Sequence, residues 1–107
     1  MHFVSEKKEA ILQVADLQLN PQTREIHRAG KLIPLSSREY KLLQYLMQHK
    51  GTIITRDTIL SHIWGYSQDI QTRVIDVYIG YLRKKIDEGV NKKLIHSIRG
   101  FGYMIKE

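Results

Sequence analysis

The segment Thr72–Asp87 constrains the chain most. Ile75, Ile79, Leu82 and Ile86 recur at i, i+4, i+7 and i+11. That spacing sets all four on one side of an α-helix as a single buried stripe. The opposite side carries Arg73, Val77, Tyr81 and Lys84, at i, i+4, i+8 and i+11. A helix patterned this way lies on a core and turns two cations, a ring and a branched apolar group outward. Gly80 sits mid-helix, where glycine costs about 1 kcal/mol relative to alanine. It is either tolerated or serves close approach to something.

The flanking segments have different periods. Ile11 to Leu19 is apolar with partial alternation and stops at Asn20-Pro21. Thr23–His27 alternates loosely, Ala29-Gly30 fits a hairpin turn, and Lys31–Leu35 is a short apolar run around Pro34. This reads as three or four short antiparallel strands, with Pro34 at an edge or a strand end because it cannot donate to a ladder. Helical spacing then begins. Ser36 and Glu39 form a capping box before Tyr40, Leu43, Leu46 and Met47, and Gly51 suits a left-handed helix stop. Thr55 caps a second helix with Asp57 in its first turn. Ile59, Leu60, Ile63 and Trp64 give that helix its apolar face, and Gly65 ends it. After the Thr72–Asp87 helix, Leu94–Ile98 and Tyr103–Ile105 bracket the turn Arg99-Gly100-Phe101-Gly102. The expected architecture is α+β: a winged helix-turn-helix with an N-terminal antiparallel β-sheet, three helices and a C-terminal β-hairpin wing. It occupies residues 11–107, with 1–10 as a linker or tail.

Composition narrows the function. The 107 residues include no cysteine, which excludes a disulfide framework, a thiol nucleophile and Cys-ligated metal. No apolar run approaches the ~20 residues of a membrane span, and residues 1–10 lack the apolar core of a secretory signal. A cytoplasmic protein is expected. The five histidines show no metal-ligand spacing, and no phosphate loop or nucleophile elbow is present. No enzyme activity and no cofactor are expected. Asp87 is expected to support Arg83, four residues before it. The net charge is +6, and residues 71–107 hold 8 Lys/Arg against 4 Asp/Glu, a balance of +4. Such a local excess suits phosphate binding through counterion release, and it equally describes a solvated surface.

The outward stripe can meet DNA. Arg73 and Lys84 can donate to guanine or phosphate, Tyr81 to either, and Val77 can touch a thymine methyl. Tyr78 lies off both stripes, where it flanks a groove or packs at the helix margin. Arg99, in the glycine-rich turn, suits a narrow minor groove of enhanced negative potential. Ser97 can donate to a phosphate or pair across the strand. Trp64 favours the core, with its indole N–H able to reach a phosphate. Lys92 and Lys93 read as solvated charges.

These motifs resemble a known family. Ser36 to Gly51, Ile63-Trp64-Gly65, the run from Arg73 to Lys85 and Ile98-Arg99-Gly100-Phe101-Gly102-Tyr103 are similar to the effector domain of OmpR/PhoB-type response regulators. The resemblance covers roughly residues 12–107. It implies a DNA-binding winged helix and transcription control by a two-component system, as a dimer on promoter direct repeats. Its recognition helix would be 72–87, in the major groove, and its wing 94–105, at the minor groove. Matched residue by residue, it implies that Trp64, Arg73, Arg83 and Ser97 meet the DNA backbone. Val77 would face bases, and Arg99 the minor groove. The loop with Tyr66, Ser67, Gln68, Asp69 and Ile70 matches a segment that meets RNA polymerase. Tyr78 stands where histidine is common, and Gly80 and Tyr81 where many members carry polar or basic residues, so no target sequence carries over. A phosphoacceptor receiver domain is expected in the full-length protein and absent from this chain, which is read as an excised effector domain. The rival reading is a winged-helix protein-interaction module without DNA binding.

Overall fold

The computed structural model describes residues 10–65 and 71–107. Four short strands come first: β1 (Leu12–Val14), β2 (Leu17–Asn20), β3 (Glu25–Arg28) and β4 (Lys31–Leu32). They form an antiparallel sheet in chain order. Leu17 pairs with Arg28 and Leu19 with Ile26. The alternation puts Val14, Leu17, Leu19 and Ile26 into the core.

The apolar run from Ile11 to Leu19 is thus two strands, split at Ala15-Asp16, where Ala15 adopts φ 54°. That turn lacks the glycine or proline that would have announced it. The Ala29-Gly30 turn is as expected, with φ of 55° and 79°. Pro34 lies beyond β4, outside the ladder.

Helix α1 (Ser37–Gln48) starts from the expected capping box: Glu39 N–H donates to Ser36 Oγ at 3.2 Å, and Ser36 N–H to Glu39 Oε1 at 2.8 Å. It buries Tyr40, Leu42, Leu43, Tyr45, Leu46 and Met47. The helix ends three residues before Gly51. Gly51 is left-handed (φ 81°), but its N–H serves Ile105 O in the last strand and not the helix.

A strand that the pattern did not suggest follows, β5 (Ile54–Thr55). Thr55 then caps α2 (Arg56–Ile59), accepting from Thr58 N–H at 3.1 Å. The helix runs on as a π-helical stretch, Leu60–Trp64, and stops at Gly65 with φ 78°. Helix α3 (Arg73–Leu82) likewise widens into π turns over Arg83–Asp87, with Glu88 N–H bonded to Arg83 O. Its inward stripe behaves as expected: Ile75, Ile79, Leu82 and Ile86 are essentially inaccessible.

The wing strands β6 (Ile95–Ile98) and β7 (Gly102–Ile105) pair antiparallel, and β5 adds to the outside of β7. Gly102 belongs to β7 and not to the turn. A Cβ there would lie 2.0 Å from Ile54 O, so the close approach of β5 and β7 requires glycine.

Asp87 corrects a second expectation. It is buried and does not support Arg83. Its carboxylate accepts from Arg28 Nη1 (3.0 Å), Leu94 N–H (3.1 Å) and Ile95 N–H (3.0 Å). Arg28, equally buried, also donates to Asp16 Oδ1, Ile86 O and Lys92 O. One ion-pair network thereby joins the first sheet, the end of α3 and the root of the wing. No helix among the described residues is long and apolar enough to cross a membrane.

Candidate nucleic-acid interface

Burial of one side of α3 forces the other outward. Arg73 and Lys84 are exposed, Val77 is 43% exposed and Tyr81 47%. All four lie along one line down the helix, as the spacing requires.

The aromatic residues form a ladder beside that line. The Arg38 guanidinium lies 4.9 Å from the Trp64 ring centroid. Trp64 meets Tyr78 edge to face at 5.0 Å, and Tyr78 meets Tyr81 the same way at 5.2 Å. Trp64 and Tyr78 are half-buried against the core. Tyr78 therefore packs at the helix margin and braces Tyr81, the ring that reaches solvent.

The basic residues divide into two groups. Arg99 is exposed at the wing tip, in a turn closed by Phe101 N–H donating to Ile98 O, with Gly100 at φ 83°. Arg83 turns toward the wing. Its Nη2 donates to Ser97 Oγ at 2.7 Å and to Ile95 O at 3.2 Å. Arg83 and Ser97, both expected at a phosphate, are thus brought together as a brace between α3 and β6. The loop Tyr66–Ile70, matched to a polymerase-contacting segment, lies outside the described residues.

The sequence reading missed Arg56. Its Nε donates to Asp76 Oδ1 at 2.8 Å, and the Tyr103 hydroxyl donates to the same oxygen. Arg56 and Arg83 each stand 5.7 Å from the centroid of the Tyr103 ring. Partial burial pushes the Asp76 carboxyl up, but the Tyr103 and Arg56 hydrogen bonds outweigh it and hold it below the usual aspartate value. Burial and the Asp76 carboxylate both raise the Tyr103 hydroxyl. Arg56 and Asp76 are twenty positions apart, and no local pattern links them. Phe101, to which the turn pattern gives no role of its own, is 65% exposed in the same turn as Arg99.

Together these elements present a helix with a cationic and aromatic outer face beside an arginine-tipped β-hairpin. Among the described residues no cluster of three or more His, Asp or Glu could hold a metal. The arrangement offers hydrogen-bond donors and apolar contacts on one surface.

The comparisons with known proteins agree. The family described as "Transcriptional regulatory protein, C terminal" matches residues 30–105. YkoG of Bacillus subtilis, an uncharacterized transcriptional regulatory protein, is 48% identical over 91 residues, which cover 85% of this chain and 40% of that protein. The DNA-binding domain of Klebsiella pneumoniae RstA, solved in complex with the RstA box, aligns with a TM-score of 0.80 at 28% identity, over 92% of this chain and 98% of that one. DrrB, an OmpR/PhoB homolog from Thermotoga maritima, aligns with a TM-score of 0.79 at 26% identity, over 91% of this chain and 44% of that one. The fold is the winged helix of response-regulator effector domains. The chain belongs to the OmpR/PhoB-type family of transcriptional regulatory proteins, C-terminal domain. It spans about 40% of the length of the curated relatives it matches.

Proposed function

We propose that this effector domain binds double-stranded DNA in a sequence-specific manner and acts in a two-component transcriptional regulator. The observation that carries the proposal is the two-sided α3: its apolar stripe is buried while Arg73, Val77, Tyr81 and Lys84 face solvent beside the Arg99 wing. A major groove admits one α-helix, and side chains along its outer line reach base edges. The helix 72–87 enters that groove. The wing 94–105 reaches the adjacent minor groove, where Arg99 meets the negative potential of A·T-rich steps. Arg73 and Trp64 serve the backbone, Val77 and Tyr81 the bases, and Tyr78 supports Tyr81. Arg83 and Ser97 hold the wing beside α3 and present their remaining polar atoms to the strand that passes.

The resemblance extends the proposal. The domain works as a dimer on promoter direct repeats in the cytoplasm, under a receiver domain in the full-length protein. The loop around Tyr66–Ile70 meets RNA polymerase.

Selection of bound duplexes from a random library, followed by titration at several salt concentrations, tests the core claim. A recovered consensus and a fall of about 0.9 log units in affinity per neutralised phosphate for each tenfold rise in salt are expected. Failure to bind any duplex in dilute buffer overturns the proposal and favours a protein-interaction module. Parallel titration with hairpin RNA guards against RNA as the true ligand.

A further inference from the structure

We infer that Asp16, in the turn of the first hairpin, is a positioning residue for the wing: by orienting Arg28 it fixes the attitude of β6 and so the place of Arg99 at the minor groove. The role rests on the DNA-binding reading above and extends it to a residue outside the proposed interface.

Arg28 is set between two carboxylates. It points inward from β3, opposite Leu17 of β2, and is 4% exposed. A guanidinium is a rigid planar fork of five N–H donors. Here Nε donates to Asp16 Oδ1 at 2.6 Å, Nη1 to Ile86 O at 2.9 Å and Asp87 Oδ1 at 3.0 Å, and Nη2 to Lys92 O at 2.6 Å. Asp16 thus holds one edge of the fork. The other edge is spent on the segment that leads from α3 into the wing. Asp87 completes the join by accepting from Leu94 N–H, just before β6, and from Ile95 N–H, which opens it. Lys106 N–H donates to Leu94 O at 3.0 Å, so the end of β7 is tied to the same point.

A root held this way governs the tip. Arg99 lies four residues beyond Ile95. At a rise of about 3.3 Å per residue that is about 13 Å, so a tilt of about 10° at the root moves Arg99 by about 2 Å. A hydrogen bond does not survive such a shift. The Arg83 brace acts on the same strand, at Ile95 O and Ser97 Oγ, and it too starts from the end of α3 that Arg28 grips through Ile86 O.

Of the three ionised groups in the network only Asp16 is substantially exposed, its side chain at 50% against 4% for each of the others. Its replacement leaves no buried charge without a partner, because Asp87 stays on Arg28. Alanine keeps the Asp16 carbonyl that accepts from Ala29 N–H, and Asp16 does not share the left-handed φ of Ala15. What the change removes is the orientation of Arg28.

The test is a cycle of Asp16→Ala, Arg99→Ala and the double variant in the whole chain. Each is titrated at fixed salt against the duplex recovered with the wild type, once with A·T-rich and once with G·C-rich flanks where the wing falls. Asp16→Ala should weaken binding to the A·T-flanked duplex by about fivefold, the low end of coupling between separate sites. It should change binding to the G·C-flanked duplex by less than about twofold, and with Arg99 already replaced it should change neither beyond that limit. In the free protein, amide hydrogen exchange at Leu94 and Ile95 should quicken while that at Ile79 stays the same. Equal losses on both duplexes overturn the inference, because a general loss of structure acts without regard to flank. So do wild-type binding by Asp16→Ala, losses that add to those of Arg99→Ala, or unchanged exchange at Leu94 and Ile95. All of these leave DNA binding intact. If the wild type itself binds no duplex, the DNA-binding reading has failed, and this role with it.

Discussion

Replacing Asp87 by asparagine should nearly unfold the domain, although Asp87 lies off the proposed interface. The side chain is 3% exposed. Its two oxygens take an Arg28 N–H and the backbone N–H groups of Leu94 and Ile95. Asparagine keeps the volume, so no cavity confuses the result. It offers a single acceptor oxygen and turns an amide donor toward other donors. Arg28 keeps Asp16 as its remaining carboxylate, and that residue is half-exposed. Removing one partner of a buried ion pair costs about 3–5 kcal/mol, because the other charge stays behind uncompensated. A domain of this size has about 5–15 kcal/mol in all. With a urea dependence of about 1.5 kcal/mol/M, the midpoint should fall by about 2 M or more. Fluorescence of the single tryptophan, Trp64, and far-UV circular dichroism should report the same transition. Combining Asp87→Asn with Arg28→Met should cost less than the two single changes summed, as expected of residues in one network. A midpoint shift under 0.5 M at unchanged slope would refute the reasoning. It would mean that water or the remaining Arg28 contacts compensate for the lost carboxylate.

Gly102→Ala should destabilise by several kcal/mol, on the order of a severe overpacking error, because its Cβ falls 2.0 Å from Ile54 O; a urea midpoint equal to wild type would contradict this. Acid should weaken the domain. Burial raises Glu39, but Lys85 and Ser36 together hold it below the usual glutamate value, and Asp76 is depressed as well. A depressed folded value stabilises above the unfolded pKa and is lost as pH falls through the folded one. Stability should therefore decline below about pH 4.5, and Glu39→Gln should flatten that limb in urea titrations from pH 7 to 3. Arg99→Ala should weaken binding mainly to duplexes with A·T-rich flanks, and equal affinity at fixed salt speaks against the minor-groove role. Tyr81→Ala should change the selected consensus more than the affinity; the same consensus would remove Tyr81 from base reading.

Local physics made most of the architecture legible. The inward stripe of α3, the Ser36 capping box, the Thr55 cap and the Ala29-Gly30 turn each lie within a few residues, and each appears as read. The outward line of Arg73, Val77, Tyr81 and Lys84 needed nothing beyond helical periodicity, since burying one face of a helix exposes the other. What stayed hidden involves partners distant in the chain. β5 is two residues long and exists because β7 lies beside it, which in turn demands glycine at 102. The turn at Ala15-Asp16 is held by the register of β1 on β2 and has no residue signature.

The charges show the division most clearly. Sequence alone determined that the last third is basic, but it could not tell which cations are free. Arg28 is committed to a buried network and Arg83 to bracing the wing, while Arg73, Lys84 and Arg99 face solvent. Periodicity specifies the direction of a side chain from its own helix or strand. Its partner depends on how those elements pack, and only the assembled tertiary structure decides that.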